Sequence, residues 1–447
     1  MEQGANLHGL TMHPLRESLY EELHSRPFQV IPSPARITHM AVMCSPEQCA
    51  DQFEHLKTLY AHFGKEPPER DQLCYHVDFG KLRVRRERHM EFTTYTFINS
   101  EVEQGGNPFD TTGISLLPEG WLSGIPGTVI AAFHIATEDA RQTQELNLPL
   151  VKRFFEGMRL VGSSPQQGDA RVWTTFQLHN DGFGRVLIYN KQMSDSQLGR
   201  LTQRIMEIET YRVMALLALP LAREFNPQLS EMDRQLAAIT ASLADTSNGV
   251  EEKSILARLT DMAAWVEDCR ARSTFRFSAT YAYHELVIKR LDELREDEVS
   301  GHLTITEFMT RRLTPAVRTC QAISSRLEDL SKRIDRVSDM MRTRVELAIQ
   351  SQNQALLESM DQRSKIQLMM QHTVEGLSVA AISYYTIGLT KYLIDALYNN
   401  GVPFNKDLAL GIAVPVIVTT VALITRKIHK RFTKLAGVIE PGSQKTD

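Results

Sequence analysis

The sequence predicts an α+β domain followed by a long helical stalk and two C-terminal transmembrane helices, and three observations carry that reading. The first half alternates short runs of apolar period two with turn signals, the mark of strands. Before the C-terminal region, apolar residues recur at steps of four and three over 323–348, the mark of a long amphipathic helix. Near the end, Leu408 to Thr425 runs eighteen residues without a charge.

In the first half, His13-Pro14-Leu15-Arg16 opens a short helix that ends before Arg26-Pro27-Phe28. Arg36 to Met43 reads as a strand. Ser45-Pro46-Glu47-Gln48 then starts a capped helix that runs through Phe63 and stops at Gly64. Further strands are expected over Leu73 to Phe79, Lys81 to Glu87, Glu91 to Ile98, Thr128 to Ile135, Ala170 to Leu178 and Arg185 to Tyr189. Asn180-Asp181-Gly182 supplies a hairpin turn between the last two. A long helix capped by Ser194 to Gln197 reaches about Pro220, so the sheet is expected to be mostly antiparallel. Val213 to Ala222 is apolar but only ten residues long and carries Pro220, so it is expected in a core rather than in lipid.

Two helices follow, Pro227 to Leu243 and Glu251 to Glu298, separated by the turn-rich Asp245-Thr246-Ser247-Asn248-Gly249. Gly301 ends the second, Thr304-Ile305-Thr306-Glu307 looks like a capping box for a third, and Pro315 is expected to kink it. The seam of this helix is Ile323, Leu327, Leu330, Ile334, Val337, Met341, Val345 and Ala348. Periodicity alone leaves open whether that seam packs on its own chain or on a second copy as a coiled coil. Unbroken from Ala316 to Tyr398, such a helix would be on the order of 120 Å long.

Leu408 to Thr425 is close to the roughly 20 residues that cross a bilayer core of about 30 Å. Gly376 to Tyr398 is the second expected span, less pure because Lys391 and Asp395 lie in it, four apart and able to pair. Arg426, Lys427, Lys430, Arg431 and Lys434 follow the last span, and Arg363 and Lys365 precede the first. By the positive-inside rule both ends are expected in the cytoplasm, at the cell inner membrane. Met1 to Thr11 has neither a basic leader nor an apolar core, so no signal peptide is expected. These readings divide the chain into an α+β domain over 1–225, a stalk over 226–372, spans over 373–398 and 408–425 around an outer loop over 399–407, and a basic tail over 426–447.

Fifty Lys and Arg against 54 Asp and Glu leave a net charge of -4, so no basic field invites nucleic acid. The five cysteines, Cys44, Cys49, Cys74, Cys269 and Cys320, form no CxxC pair or regular ladder and read as reduced thiols. Asp78-Phe79-Gly80 spells a kinase metal triplet, but no glycine-rich phosphate loop accompanies it, so it reads as coincidence. His24, His76, His89, His134 and His179 show no ligand spacing. No nucleophile elbow or P-loop is present, so no enzyme is expected. Arg83, Arg85, Arg86 and Arg88 make a dense basic strand, with Arg83 and Arg85 on one face and Arg86 and Arg88 on the other. One face could hold an anion, and solvated pairing with Glu87 or Glu91 is the alternative. On the first span, Gly376, Ala380, Ser383, Ile387, Thr390 and Ile394 form one small-to-polar stripe, suited either to close helix packing or to lining a pore.

His13-Pro14-Leu15-Arg16 with Glu22 to Phe28, Arg85 to Tyr95, and Thr373 to Tyr385 together resemble a bacterial membrane-anchored family, domain of unknown function 3422, over nearly the whole chain. That family implies no activity. More loosely, the order of cytosolic domain, stalk, span, short loop, span and basic tail looks like the CorA-type magnesium transporters. That resemblance implies a homo-oligomer with the first span around a pore. Those proteins end the first span in Gly-Met-Asn, whereas this chain has Tyr398-Asn399-Asn400-Gly401. Asn399 and Asn400 are therefore the ion contacts the resemblance implies, for a divalent cation whose identity does not carry over. Two functions follow as expectations. One is cation passage by a homo-oligomeric inner-membrane protein; the other is a non-conducting membrane-anchored scaffold. Expected partners are the lipid bilayer, further copies, and a cytosolic protein or anionic small molecule.

Overall fold

The computed structural model describes residues 6–7, 10–11, 13–16, 19–20, 28–69, 72–140, 148–243, 249–401, 403 and 405–436. His24 and the rest of the 22–27 motif, the turn residues 245–248 and the tail 437–447 lie outside the described residues. The chain divides into two compact units, Met1–Ser338 and Asp339–Asp447.

In the first unit, β1 (Ala35–Met43) is buried along almost its full length, because both of its faces carry core side chains. Ile37 joins one hydrophobic cluster, and Met40 and Val42 join another. Helix α1 (Pro46–His62) starts as its sequence dictates: Ser45 Oγ accepts from the Gln48 amide at 3.2 Å, and the Gln48 side chain accepts from the Ser45 amide at 3.0 Å. Strands β2 (Cys74–Asp78) and β3 (Leu82–Arg88) form a hairpin across Asp78-Phe79-Gly80. The Gly80 amide donates to Asp78 Oδ1 at 2.7 Å, and its φ of 93° is one that glycine adopts freely. The kinase-like triplet is therefore a turn. β4 (Phe92–Asn99) and β5 (Thr128–Asp139) flank β1.

Helix α2 (Leu148–Phe154) and strand β6 (Val161–Ser164) precede the hairpin of β7 (Ala170–Thr174) and β8 (Gly184–Asn190). With β9 (Asp297–Glu298), the sheet runs β9-β6-β7-β8-β5-β1-β4-β3-β2. All neighbouring pairs are antiparallel except β8 with β5, which is parallel. The mostly antiparallel α+β body is thus as expected. The sequence reading had no place for α2, β6 or β9, and the physical reason is plain: four residues reading VGSS and two acidic residues carry no alternating pattern.

Helices α3 (Asp195–Leu216), α4 (Leu219–Ser242), α5 (Gly249–Leu294) and α6 (Ile305–Asn399) follow. One sheet face buries Ile37, Ile135 and Ile188 with Leu201 and Ile205 of α3, Leu291 of α5 and Met309 of α6. The opposite face buries Met40, Val84, Tyr95 and Phe97 with Leu56 and Leu59 of α1 and with Trp121. Met214, Ala215, Ala218 and Ala222 are buried, so the apolar run 213–222 sits in this core. The break between α3 and α4 falls at Leu217–Ala218, with Pro220 in the first turn of α4, and α4 continues through Pro227.

At the start of α6, Thr304 Oγ1 accepts from the Glu307 amide at 3.0 Å, but Glu307 does not close a capping box. The Glu296 carboxylate instead takes the amides of Ile305 and Thr306, at 3.1 and 2.6 Å. Helix α6 is assigned without interruption through Pro315. The seam residues Ile323, Leu327, Leu330, Ile334 and Val337 are buried within the first unit. Arg326 and Arg333 of α6 converge on Asp233 of α4 at 3.0 and 2.7 Å, which sets α4 beside the seam. Through Val337 the seam therefore packs on its own chain, and the coiled-coil alternative has no support. Further along, Val345 is half-buried and Ala348 exposed.

The second unit holds the rest of α6 and α7 (Lys406–Ala436). Asp395 pairs with Lys406 at 2.8 Å across the turn that joins them. The expected pairing of Asp395 with Lys391 is not the one formed, because the turn brings a second amine to the same carboxylate.

Candidate functional site

The second arm of the C-terminal hairpin is a helix long and apolar enough, by length and composition, to cross a membrane. Within Lys406–Ile428 an eighteen-residue window has a mean hydropathy of 2.4 and no buried residue; among the described residues no other helix is long and apolar enough to cross a membrane. Leu408, Ile412, Val416, Leu423 and Ile424 are each more than half exposed. The expected first span, 373–398, falls short of that standard. Tyr384, Tyr385, Thr386, Thr390 and Lys391 dilute its apolar content, so two spans were expected where one helix qualifies.

Of the stripe on that segment, Ser383 and Ile394 are buried, Ile387 and Thr390 are half-buried, and Gly376 and Ala380 are exposed. On α7, Leu410, Ala413, Ile417 and Val421 form a half-buried face at matching spacing. Asn399 ends α6, and the Asn400 amide donates to Ala396 O at 3.2 Å; both side chains are exposed. No group of three or more His, Cys, Asp or Glu side chains able to hold a metal is found among the described residues. The described histidines stay apart: His76 contacts Gln29, His134 contacts Thr38, and His179 contacts Thr175.

The basic strand is β3, inside the sheet between β4 and β2, and its charges are largely committed. Arg83 donates to Val30 O at 3.0 Å. Arg85, almost fully buried, pairs with Glu87 at 2.5 Å. Arg86, on the opposite face and 1% exposed, donates to Cys49 O at 3.3 Å and lies over the Tyr75 ring. Arg88 is half-buried. The four arginines hence do not share one open anion cradle.

Arg85 and Glu87 instead border a small polar chamber of about 70 Å³, roofed by Glu207 and Tyr211 of α3 and floored by His39 and Thr96. His39 Nδ1 is hydrogen-bonded to Thr96 Oγ1 at 2.8 Å. Burial, then the charges of His89 and Arg85, hold the His39 pKa down to about 3, so the ring is neutral at physiological pH. Beside the chamber, Arg276 and Tyr283 of α5 both bind the Glu91 carboxylate, at 2.5 and 3.1 Å. Burial and the Glu91 charge push the Tyr283 hydroxyl well above its ordinary pKa. Sequence reasoning missed His39, Glu207, Tyr211 and Tyr283 because they are spread over nearly 250 positions. The one local signal was a histidine on a central strand that also carries Ile37, Met40, Ala41 and Val42. Within this chamber Arg85 is compensated by Glu87, and Arg290 of α5 ion-pairs with Glu207.

Cys44 and Cys49 form a disulfide that ties the end of β1 to the first turns of α1, with Cα atoms 5.7 Å apart. This corrects the expectation of five reduced thiols: the capped strand-to-helix turn brings the pair within bonding range. Cys74, Cys269 and Cys320 are free.

A mixed-sheet body and a 95-residue helix followed by one helix long and apolar enough to cross a membrane define the class: an α+β domain with a long helical C-terminal region. The chain belongs to the family described as Protein of unknown function (DUF3422), whose model matches residues 11–432. Comparison with curated proteins finds no match.

Proposed function

We propose that this protein is a non-conducting, membrane-anchored scaffold, with the α6–α7 hairpin as anchor and the sheet domain as a binding platform on the cytoplasmic face of the inner membrane. The observation that carries the proposal is α7, a membrane-length helix on which Leu408, Ile412, Val416, Leu423 and Ile424 are each more than half exposed. In this reading the end of α6 enters the bilayer beside α7. Its polar stripe turns toward α7, Asp395 is neutralised by Lys406, and its outward tyrosines suit the interface. Both chain ends then share one side, and the cationic cluster from Arg426 onward supports the cytoplasm as that side. Self-association falls to α6 between Leu347 and Met370, a stretch exposed throughout among the described residues, with Leu356, Leu357, Met360 and Ile366 on its surface.

Cation passage is the competing function, and it needs the stripe and Asn399–Asn400 to face a shared axis. Full-length protein reconstituted into vesicles should resist alkaline extraction and leave the vesicles sealed to cations. A cation flux that changes in the N399A/N400A variant would replace the scaffold with a conduit, and release of the protein by alkali would remove the anchor.

A further inference from the structure

In the first unit, two adjoining cavities of about 270 and 330 Å³ share Arg159, Leu160 and Leu303 as a common wall. They lie between the segment that leads from α2 into β6 and the first turns of α6. The cations on them outnumber the anions. Arg311 and Arg312 come from α6, Arg159 from the approach to β6, and Lys152 from the last turn of α2. Arg311 is paired with Glu307 at 2.5 Å, an exposed contact that water screens. Arg159, Arg312 and Lys152 have no ion pair among the described residues. The polar chamber under β3 is the opposite case, since its arginine is already matched by a carboxylate.

The groove also has an apolar side. Phe308, stacked on Phe176 with centroids 4.8 Å apart, stands beside Leu160 and Leu303. Its rim is set by turns with left-handed backbone at Gly157 and Gly301, φ 77° and 81°. Uncompensated guanidinium groups converging on a concave surface favour a tetrahedral oxyanion, which accepts paired N–H donors from each. An apolar wall favours an organic portion attached to it.

We propose that this groove binds a phosphoryl-bearing anion, with Arg159 and Arg312 as its principal ligands and the Phe308 wall against its organic part. The phosphoryl group can belong to a soluble phosphate ester or to an acidic phospholipid headgroup. The proposal does not depend on the anchor reading, because all of these residues lie in the first unit.

The test uses the full-length chain in an uncharged detergent, with inorganic pyrophosphate as the soluble probe and phosphatidic acid in mixed micelles as the lipid probe. Calorimetry should show saturable binding of at least one probe, weakened by salt. The R159Q/R312Q variant should lose affinity by about tenfold to a hundredfold, the scale of one or two charge-assisted hydrogen bonds. Equal charge removal at exposed Arg234 and Arg342 should leave affinity within about twofold, since a diffuse field would be affected alike. Thermal unfolding followed by tryptophan emission checks that the variant folds, because Trp173 packs against His302 beside the groove. Pyrophosphate binding alone identifies a soluble ligand, and phosphatidic acid binding alone identifies a headgroup. No saturable binding of either probe, or binding that R159Q/R312Q leaves unchanged, overturns the proposal.

Discussion

His39 shows how one buried side chain couples the body to pH. Its pKa in the folded chain is about 3 against 6.5 for the free side chain, so between those values the unfolded state binds one proton more. The resulting stability is complete above about pH 6.5 and falls as the pH drops toward 3, by up to about 1.4 kcal/mol per unit. The groups that line the chamber with the ring are Arg85 and Glu87 of β3, His89 of the turn after it and Glu207 of α3. Urea unfolding followed by tryptophan emission reports this unit alone, because Trp121, Trp173 and Trp265 all lie in it. Between pH 6 and 4 the H39Q variant should lose about one proton of pH dependence, leaving the part due to other groups, among them His76 and His134, both held down to about 4 chiefly by burial. An unchanged slope would clear His39 of the role.

For single elements, the seam of α6 is where magnitudes decide. Leu330 and Ile334 are fully buried, so L330A or I334A should cost about 2–5 kcal/mol each in urea unfolding of the first unit. Asp233 holds two arginines, but all three side chains are about a third or more exposed, so D233N should cost less than about 1 kcal/mol. Neither class of variant should change the oligomer size measured by light scattering, because the seam is filled by the protein's own chain. A dimer or larger assembly that falls apart in L330A would return the seam to an intermolecular coiled coil. The same element shows how far pattern reading reaches. The steps of four and three at Ile323 to Val337 were legible as a buried helix face. Its cover was not, because α4 and a second copy would present the same apolar complement.

Across the whole molecule, the disulfide and the proposed membrane anchor bear on the same question of compartment. Disulfides persist in oxidising surroundings, whereas the cationic flank of α7 argues for a cytoplasmic face. Alkylation of the denatured, unreduced protein purified under air should modify three thiols, those of Cys74, Cys269 and Cys320, and five after reduction. Five without reduction would remove the bridge. Alkylation in cells before lysis reads the compartment directly: five modified thiols fit the cytoplasmic placement, and three place the body on the oxidising side.

Much of this protein was present in its linear order. Ser45 and Gln48 cap α1, Ser194 and Gln197 cap α3, and the uncharged run in α7 has the length of a span, because each depends on neighbours a few positions away. The sites were less accessible. Strand alternation already divided Arg83 and Arg85 from Arg86 and Arg88, but it did not show that burial would commit Arg85 to Glu87 and Arg86 to the backbone of α1. Arg159, Arg311 and Arg312 stood 150 positions apart with no motif between them, and only the closing of the sheet by β6 and β9 beside α6 brought them to one groove. Local capping and hydropathy act through the chain's own near neighbours and so can be read from it. Which charges meet, and which are left uncompensated, depends on contacts between distant segments, and that was decided by the tertiary structure.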